Sequence, residues 1–491
     1  MSRLSVPTLV AFLCYIGIVL GIGFLAYLRT KNITDYFLGG RKLTPAVAAI
    51  SASASDMSGW VLLGLPGYAY LAGLEAAWIA MGLVLGVAAN WLLMAKRLRI
   101  YSHQLDDAVT IPSYLQRRFA ASTPWLRIIA SVSILLFFVF YVASGLIAGG
   151  KLFNQVFAIN YYWAVIISAS LILVYTLFGG FLAVSWTDVF QGLLMLLAIS
   201  VVPLLVITQI EGGLVHQINL KNPQLLNLLT DVQGNNLGLL IIISSMGWGL
   251  GYFGQPHVLA RFKAIRDPAE TNSATLIGVS WSLLCYSLAV LLGLCGVAYF
   301  SDPLADPEKV FMVLTSVIFH PLIAGILLAA ILAAIMSTVD SQLLACSSSL
   351  AEDIFPLLRR KKLAVGSQLR VGRISVVLLA ILAMLCALNP DNTVLGVVSY
   401  AWAGLGASLG PVMLISLYWR SMSEISALAG VVVGGGMVIL WSQLSGGVFE
   451  LYALVPGFIL SLLAILSCGF VAKLKPKQSV TEQFDAMLRQ L

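Results

Sequence analysis

Thirteen stretches of roughly 20 or more mostly apolar residues run through the 491-residue sequence, and a helix of that length crosses a hydrocarbon layer about 30 Å thick. Their approximate limits are 6–28, 45–71, 74–95, 124–150, 160–180, 186–210, 236–256, 273–300, 322–350, 369–388, 393–419, 424–444 and 452–472. Lipid offers no partners to backbone N–H and C=O groups, so these stretches read as helices and the chain as an all-α integral membrane protein of about 13 transmembrane helices. Composition agrees: 10% of residues are charged, against about 25% in soluble domains, which excludes a soluble enzyme. The six cysteines sit in apolar runs with no CxxC pair and read as free buried thiols. The first run, at about 23 residues, is too long for a signal-peptide core and is expected to stay as a helix.

The basic residues give the topology. Of 28 Lys and Arg, 24 fall in alternate connections or the C-terminal tail, and four (Arg3, Lys151, Lys221 and Lys309) fall on the other side. The positive-inside rule then puts the N-terminus outside and the C-terminus in the cytoplasm, consistent with an odd number of spans. The net charge of +7 therefore reflects membrane orientation and not a nucleic-acid partner. Short loops and a basic inner face suit a bacterial plasma membrane. Residues 1–472 read as one membrane domain and 473–491 as a short cytoplasmic tail, with no obligate protein partner evident.

Ionisable groups at the middle of a bilayer cost at least about 2.5–3.5 kcal/mol, so Asp56, Asp188 and Asp340 stand out as functional candidates. With no Lys or Arg placed at comparable depth, their expected partners are a bound cation, a proton or hydrogen-bond donors. The second span is polar at Ser51-Ala-Ser-Ala-Ser-Asp-Met-Ser-Gly59, and the seventh at Ser244-Ser-Met-Gly-Trp-Gly-Leu-Gly-Tyr-Phe-Gly-Gln-Pro256. Both are expected to unwind, freeing carbonyl oxygens for a small hard cation; the alternative for the first is a small-residue packing seam. Trp248 and Tyr252 are four residues apart, able to wall a pocket for a small, partly apolar solute or simply to pack together. In the ninth span Ser337 and Ser341 lie one turn apart, with Thr338 and Asp340 beside them.

The two broken spans are five apart and, by the charge count, run in opposite directions. This is the sequence pattern of inverted repeats with discontinuous first helices, here spans 2–6 (about 45–210) and 7–11 (about 236–419), with a site near the midplane. The four histidines form no metal constellation and no nucleophile has a base beside it, so an enzyme is not expected.

These features, with Leu38-Gly-Gly-Arg41 and Gly179-Gly-Phe-Leu-Ala-Val-Ser-Trp-Thr-Asp188-Val-Phe-Gln191, resemble the sodium/solute symporter family, most closely its sodium/proline branch, across essentially the whole chain. The resemblance implies a core of two inverted five-helix repeats and Na⁺-coupled, electrogenic uptake of proline by alternating access, with no organic cofactor. By position it implies a sodium site from the carbonyls of Ala54, Met57 and Ala334 and the hydroxyls of Ser337 and Thr338. Asp188, Asp340 and Ser341, with Ser337, are candidates for a second sodium. Ser55, Ser58, Gly59, Tyr141, Trp248, Tyr252 and Pro256 are implied for the solute, and Asp56 and Arg41 for coupling. Rivals are the same mechanism with another amino acid, pantothenate or a monocarboxylate, H⁺ or Li⁺ as coupling ion, and a solute sensor, for which the tail is too short to hold a signalling domain.

Overall fold

The computed structural model describes residues 5–27, 39–178, 180–359, 365–471 and 477–491. Leu38 and Gly179 of the motifs above, and basic residues Arg3, Arg29, Lys31, Arg360, Lys361, Lys362, Lys473 and Lys475, lie outside them. The thirteen expected spans appear as α1 (Val6–Tyr27), α2 (Pro45–Leu62 and Gly64–Ala72), α3 (Ala77–Asn90, running on through Lys96–Gln104), α4 (Trp125–Phe157), α5 (Tyr161–Phe178), α6 (Phe181–Gln209) and α7 (Leu239–Gly247, Trp248–Gly254 and Pro256–Ala264). They continue as α8 (Thr271–Tyr299), α9 (Pro321–Ser348, running on to Arg359), α10 (Val365–Cys386), α11 (Val394–Tyr418), α12 (Glu424–Trp441) and α13 (Leu454–Val471). Among the described residues, eight helical stretches are long and apolar enough to cross a membrane. Outside that set are the first half of α2 and all of α7, which are broken, and α5, α10 and α13, whose apolar runs are shorter or carry charge, while the second half of α2 runs on into the stretch that holds α3.

Helix starts follow side-chain chemistry. Thr44 caps α2 through Val47 N–H with Pro45 in the first turn, and Thr393 and Ser423 cap α11 and α12 in the same way. The interruption expected in α2 falls at Ser58, whose φ of 46° and ψ of −173° end the regular helix. A non-glycine residue there is strained, which over-determined packing around a functional segment sustains. In α7 the break is the tighter 3₁₀ turn Trp248–Gly254, ended by Gln255 in extended conformation before Pro256 restarts the helix.

Small residues let the backbones meet. A Cβ on Gly82 or Gly86 of α3 would run into the backbone of Met246 or Gly249 of α7. Close approach of this kind packs helices where lipid supplies no hydrophobic drive. The centre of the molecule is α9, buried from Ala329 through Leu344 and packed on α1, α2, α4, α6 and α10. Large apolar side chains such as Leu13, Phe24, Leu92, Leu136, Leu197 and Leu276 point outward, as a lipid-facing surface requires.

Most of the described basic residues gather at one end of the bundle. There Arg118 donates to the Ser416 and Trp419 carbonyls, Arg127 pairs with Asp353 at 2.6 Å, and Arg420 pairs with Asp485. The expected tail is partly a docked helix, α14 (Gln478–Leu488), whose Phe484 packs edge-on against Tyr101. At the opposite end Lys151 pairs with Glu308, whose oxygens also accept from the N–H groups of Val394 and Leu395 at the start of α11.

Candidate functional site

The break in α2 places Ala54 against the middle of α9. Ser337 Oγ lies 2.9 Å from the Ala54 carbonyl oxygen and 3.1 Å from that of Ala334, and Thr338 Oγ1 lies 3.5 Å and 3.1 Å from the same two oxygens. Each hydroxyl donates its single hydrogen and keeps lone pairs free, so two carbonyls and two hydroxyls make a neutral cluster of hard oxygen donors. Such a donor set suits a small hard cation and fits sodium. Four of the five residues implied for the ion thus come together. Met57 is buried one turn further along α2.

The expectation that no basic side chain reaches the depth of the carboxylates is corrected here. The sequence reading ends span 7 at 256 and leaves Arg261 in a loop, whereas α7 runs on to Ala264 and buries Arg261 to 1% exposure. Its Nη2 donates to Asp188 Oδ2 at 2.9 Å and to Ser341 Oγ at 2.6 Å, and its Nε to Ser51 Oγ at 3.1 Å. Ser51 in turn donates to the same Asp188 oxygen at 2.6 Å. The guanidinium also lies 5.0 Å over the Phe181 ring. One cation therefore ties the second half of α7 to α2, α6 and α9, at two of the candidates for a second ion. Asp340 is buried beside this cluster, with Ser341 adjacent and, among the described residues, no well-aligned donor on either of its oxygens.

Asp56, next to the break, belongs to an aromatic cage. Tyr252 donates to its Oδ2 at 2.5 Å, Tyr286 lies 3.4 Å from the same oxygen, and Tyr141 donates to its backbone carbonyl at 3.1 Å. Asp56 Oδ1 meets no donor among the described residues. Trp248 packs 5.8 Å from Trp60, and Trp60 stacks 5.9 Å from Tyr286. Trp402 meets Tyr252 edge-on at 5.0 Å and donates through Nε1 to the Trp248 carbonyl at 2.8 Å. Trp60, Tyr286 and Trp402 were not legible as site residues; Tyr286 and Trp402 lie in apolar runs, Trp60 directly follows the polar segment of α2, and only the fold brings the three to Trp248 and Tyr252.

The remaining expected residues divide between the neighbourhood of this cage and positions away from it. The Ser55 hydroxyl bonds back to Ala52 in its own helix, and Gly59 allows a close approach to Ala148 and Ile335. Pro256 does not join the rings; it lines a hollow of about 30 Å³ beside His257, Arg261 and Ser341. Arg41 sits at the basic end, donating to the Lys263 carbonyl at 2.7 Å and pairing with Asp107 at 2.9 Å. Burial draws its guanidinium down to about 10, a shift that Arg99 reinforces and Asp107 opposes, so it is charged at neutral pH. On the opposite face a cavity of about 490 Å³, bordered by Tyr68, Ser244, Ser399 and Tyr452, leads down to Trp248.

Comparison with known proteins gives a consistent result. A family model described as the sodium:solute symporter family matches residues 36–434. The chain is 46% identical over 469 residues to the high-affinity proline transporter PutP of Bacillus subtilis (strain 168), covering 94% of this chain and 98% of that protein. It is 44% identical over 493 residues to the sodium/proline symporter of Escherichia coli (strain K12), covering 98% and 96%. Among solved structures, a Na⁺-coupled sialic acid symporter in a substrate-bound outward-open state superposes with a TM-score of 0.79 at 19% identity, covering 96% of this chain and 98% of that one, a likeness of fold.

Proposed function

The chain belongs to the sodium:solute symporter family, and from that premise we propose that it is a multi-pass inner-membrane transporter coupling inward Na⁺ flow to L-proline uptake. The observation that supports this reading is that one broken helix reaches both the oxygen cluster and the aromatic cage. Ala54 of α2 faces the Ser337–Thr338 oxygens, and Asp56, two residues on, faces the tyrosines of the cage. An ion that orders this segment also shapes the solute pocket, and the coupling is reciprocal, so each ligand raises the affinity for the other. The basic face is cytoplasmic, with the N-terminus outside and the C-terminus inside. The units that rock against one another are α2–α6 (about 45–210) and α7–α11 (about 236–419), two repeats of opposite orientation.

Proline at neutral pH is a zwitterion, so the Na⁺ alone carries net charge inward. About 2.3 kcal/mol from 100 mV and about 1.4 kcal/mol from a tenfold Na⁺ gradient allow roughly 500-fold accumulation for one Na⁺ per proline. Na⁺ is placed at Ala54, Met57, Ala334, Ser337 and Thr338. A second Na⁺ at Asp188, Asp340 and Ser341 would have to displace Arg261 from both Asp188 and Ser341. The pyrrolidine ring suits the walls formed by Trp248, Tyr252 and Tyr141, with Ser55, Ser58 and Gly59 at the α2 break. A pocket specialised for a monocarboxylate would instead need a free Arg or Lys, and Arg261 is committed to Asp188.

Trp248→Ala and Tyr252→Ala are each expected to raise the half-saturating proline concentration about tenfold or more in reconstituted vesicles, since each removes a buried aromatic wall. Saturation curves for both variants that overlay the wild type would place the solute elsewhere.

A further inference from the structure

We propose that Tyr452, in the connection between α12 and α13, is a positioning residue for the solute pocket and acts through Trp248. The inference rests on the transport reading above, yet α12 and α13 lie outside the two repeats and no reading of the sequence assigned them a part in the site. The Tyr452 ring stacks on Trp248 at 5.0 Å with 19° between planes. Its N–H donates to Ser244 Oγ, one turn before Trp248 in α7, at 3.0 Å, and its hydroxyl donates to the Ser399 carbonyl of α11 at 2.7 Å. Trp248 thus packs against both Trp60 and Tyr452.

The connection carrying Tyr452 is itself fixed. Trp441 Nε1 donates to the Leu451 carbonyl at 2.9 Å, and the Trp441 ring packs on Phe449 at 4.8 Å. On the far side of Tyr452, Val455 of α13 presses on Gly247, and Phe458 lies 6.2 Å from Phe253. Both rings of the Tyr452–Trp248 stack border the 490 Å³ cavity. A solute descending from that cavity meets the stack before it meets Asp56. Tyr452 therefore sets the angle at which Trp248 presents its face to the pocket, and the α12–α13 hairpin contributes to solute affinity from outside the repeats.

The test is a double-mutant cycle on Na⁺-driven proline uptake in proteoliposomes. Tyr452→Ala is expected to raise half-saturating proline about three- to tenfold, the range that loss of one aromatic pair gives, with maximal rate per reconstituted transporter changed less than twofold. Tyr452→Phe, which keeps the ring and loses the hydroxyl, is expected to restore most of the affinity. In a Trp248→Ala background Tyr452→Ala is expected to add less than twofold, because its effect passes through the missing ring. Half-saturation does not depend on the amount of folded protein, and Tyr452→Leu replaces the alanine variant if that one cannot be reconstituted. An equal penalty in both backgrounds, or a fall in maximal rate at unchanged half-saturation, overturns the assignment. A wild type with no Na⁺-driven proline uptake overturns the transport reading and this role with it, whereas a working wild type with an additive cycle overturns the role of Tyr452 alone.

Discussion

Replacing Arg261 with alanine is expected to cost about 3–5 kcal/mol of stability, the usual penalty for removing one partner of a buried ion pair. The guanidinium serves Asp188, Ser341 and Ser51 at once, and Asp188 has no exposure to water. Without it a buried carboxylate loses its counter-charge and four helices lose their common tie. Total stabilities of about 5–15 kcal/mol leave little margin for such a loss. The measurement is the thermal unfolding midpoint of the purified protein in detergent, with Arg261→Ala well below the wild type. The double variant Asp188→Asn/Arg261→Gln removes both charges and keeps hydrogen-bonding side chains, so it is expected to recover much of the loss. An Arg261→Ala protein as stable as the wild type would show that the pair is not a structural tie.

The second large effect belongs to Ser337. Ser337→Ala is expected to raise the Na⁺ concentration for half-maximal uptake about 10- to 100-fold, since a polar contact to a charged group contributes roughly 1.5–3 kcal/mol. Thr338→Ala should act in the same direction, and Thr338→Ser, which keeps the oxygen, should recover most of the affinity. Both hydroxyls share the Ala54 and Ala334 carbonyls, so their effects are expected to be non-additive. Proline saturation measured at very high Na⁺ should return toward wild type, because the solute cage keeps its own residues. Unchanged Na⁺ dependence in both alanine variants would remove the ion from this position.

Much of this arrangement was legible in the sequence because membranes impose strict rules. Hydrophobic length gave thirteen spans, and serines or glycines in place of leucine marked the breaks in α2 and α7. The motif Ala334-Ile-Met-Ser337-Thr338 pointed at the oxygen cluster because its hydroxyls fall on a buried helix. What the sequence hid has a common cause. Arg261 follows a proline that ends the apolar run, so hydropathy places it in a loop; only the fold shows that α7 restarts at Pro256 and carries the side chain inward. Trp60, Tyr286, Trp402 and Tyr452 are aromatic residues in apolar or loop segments, and their convergence on Trp248 depends on helix packing that no local spacing encodes. The tail shows the same limit: Val480, Phe484 and Met487 form an amphipathic face whose docking partner, Tyr101, lies far away in sequence.

The most direct test of coupled transport is initial uptake of labelled proline by proteoliposomes holding the purified protein, under an inward Na⁺ gradient and under an equal K⁺ gradient. Uptake that requires Na⁺ and rises when the vesicle interior is made negative is the predicted result. Equal uptake under both gradients, or none from folded protein under either, would contradict Na⁺-coupled proline transport.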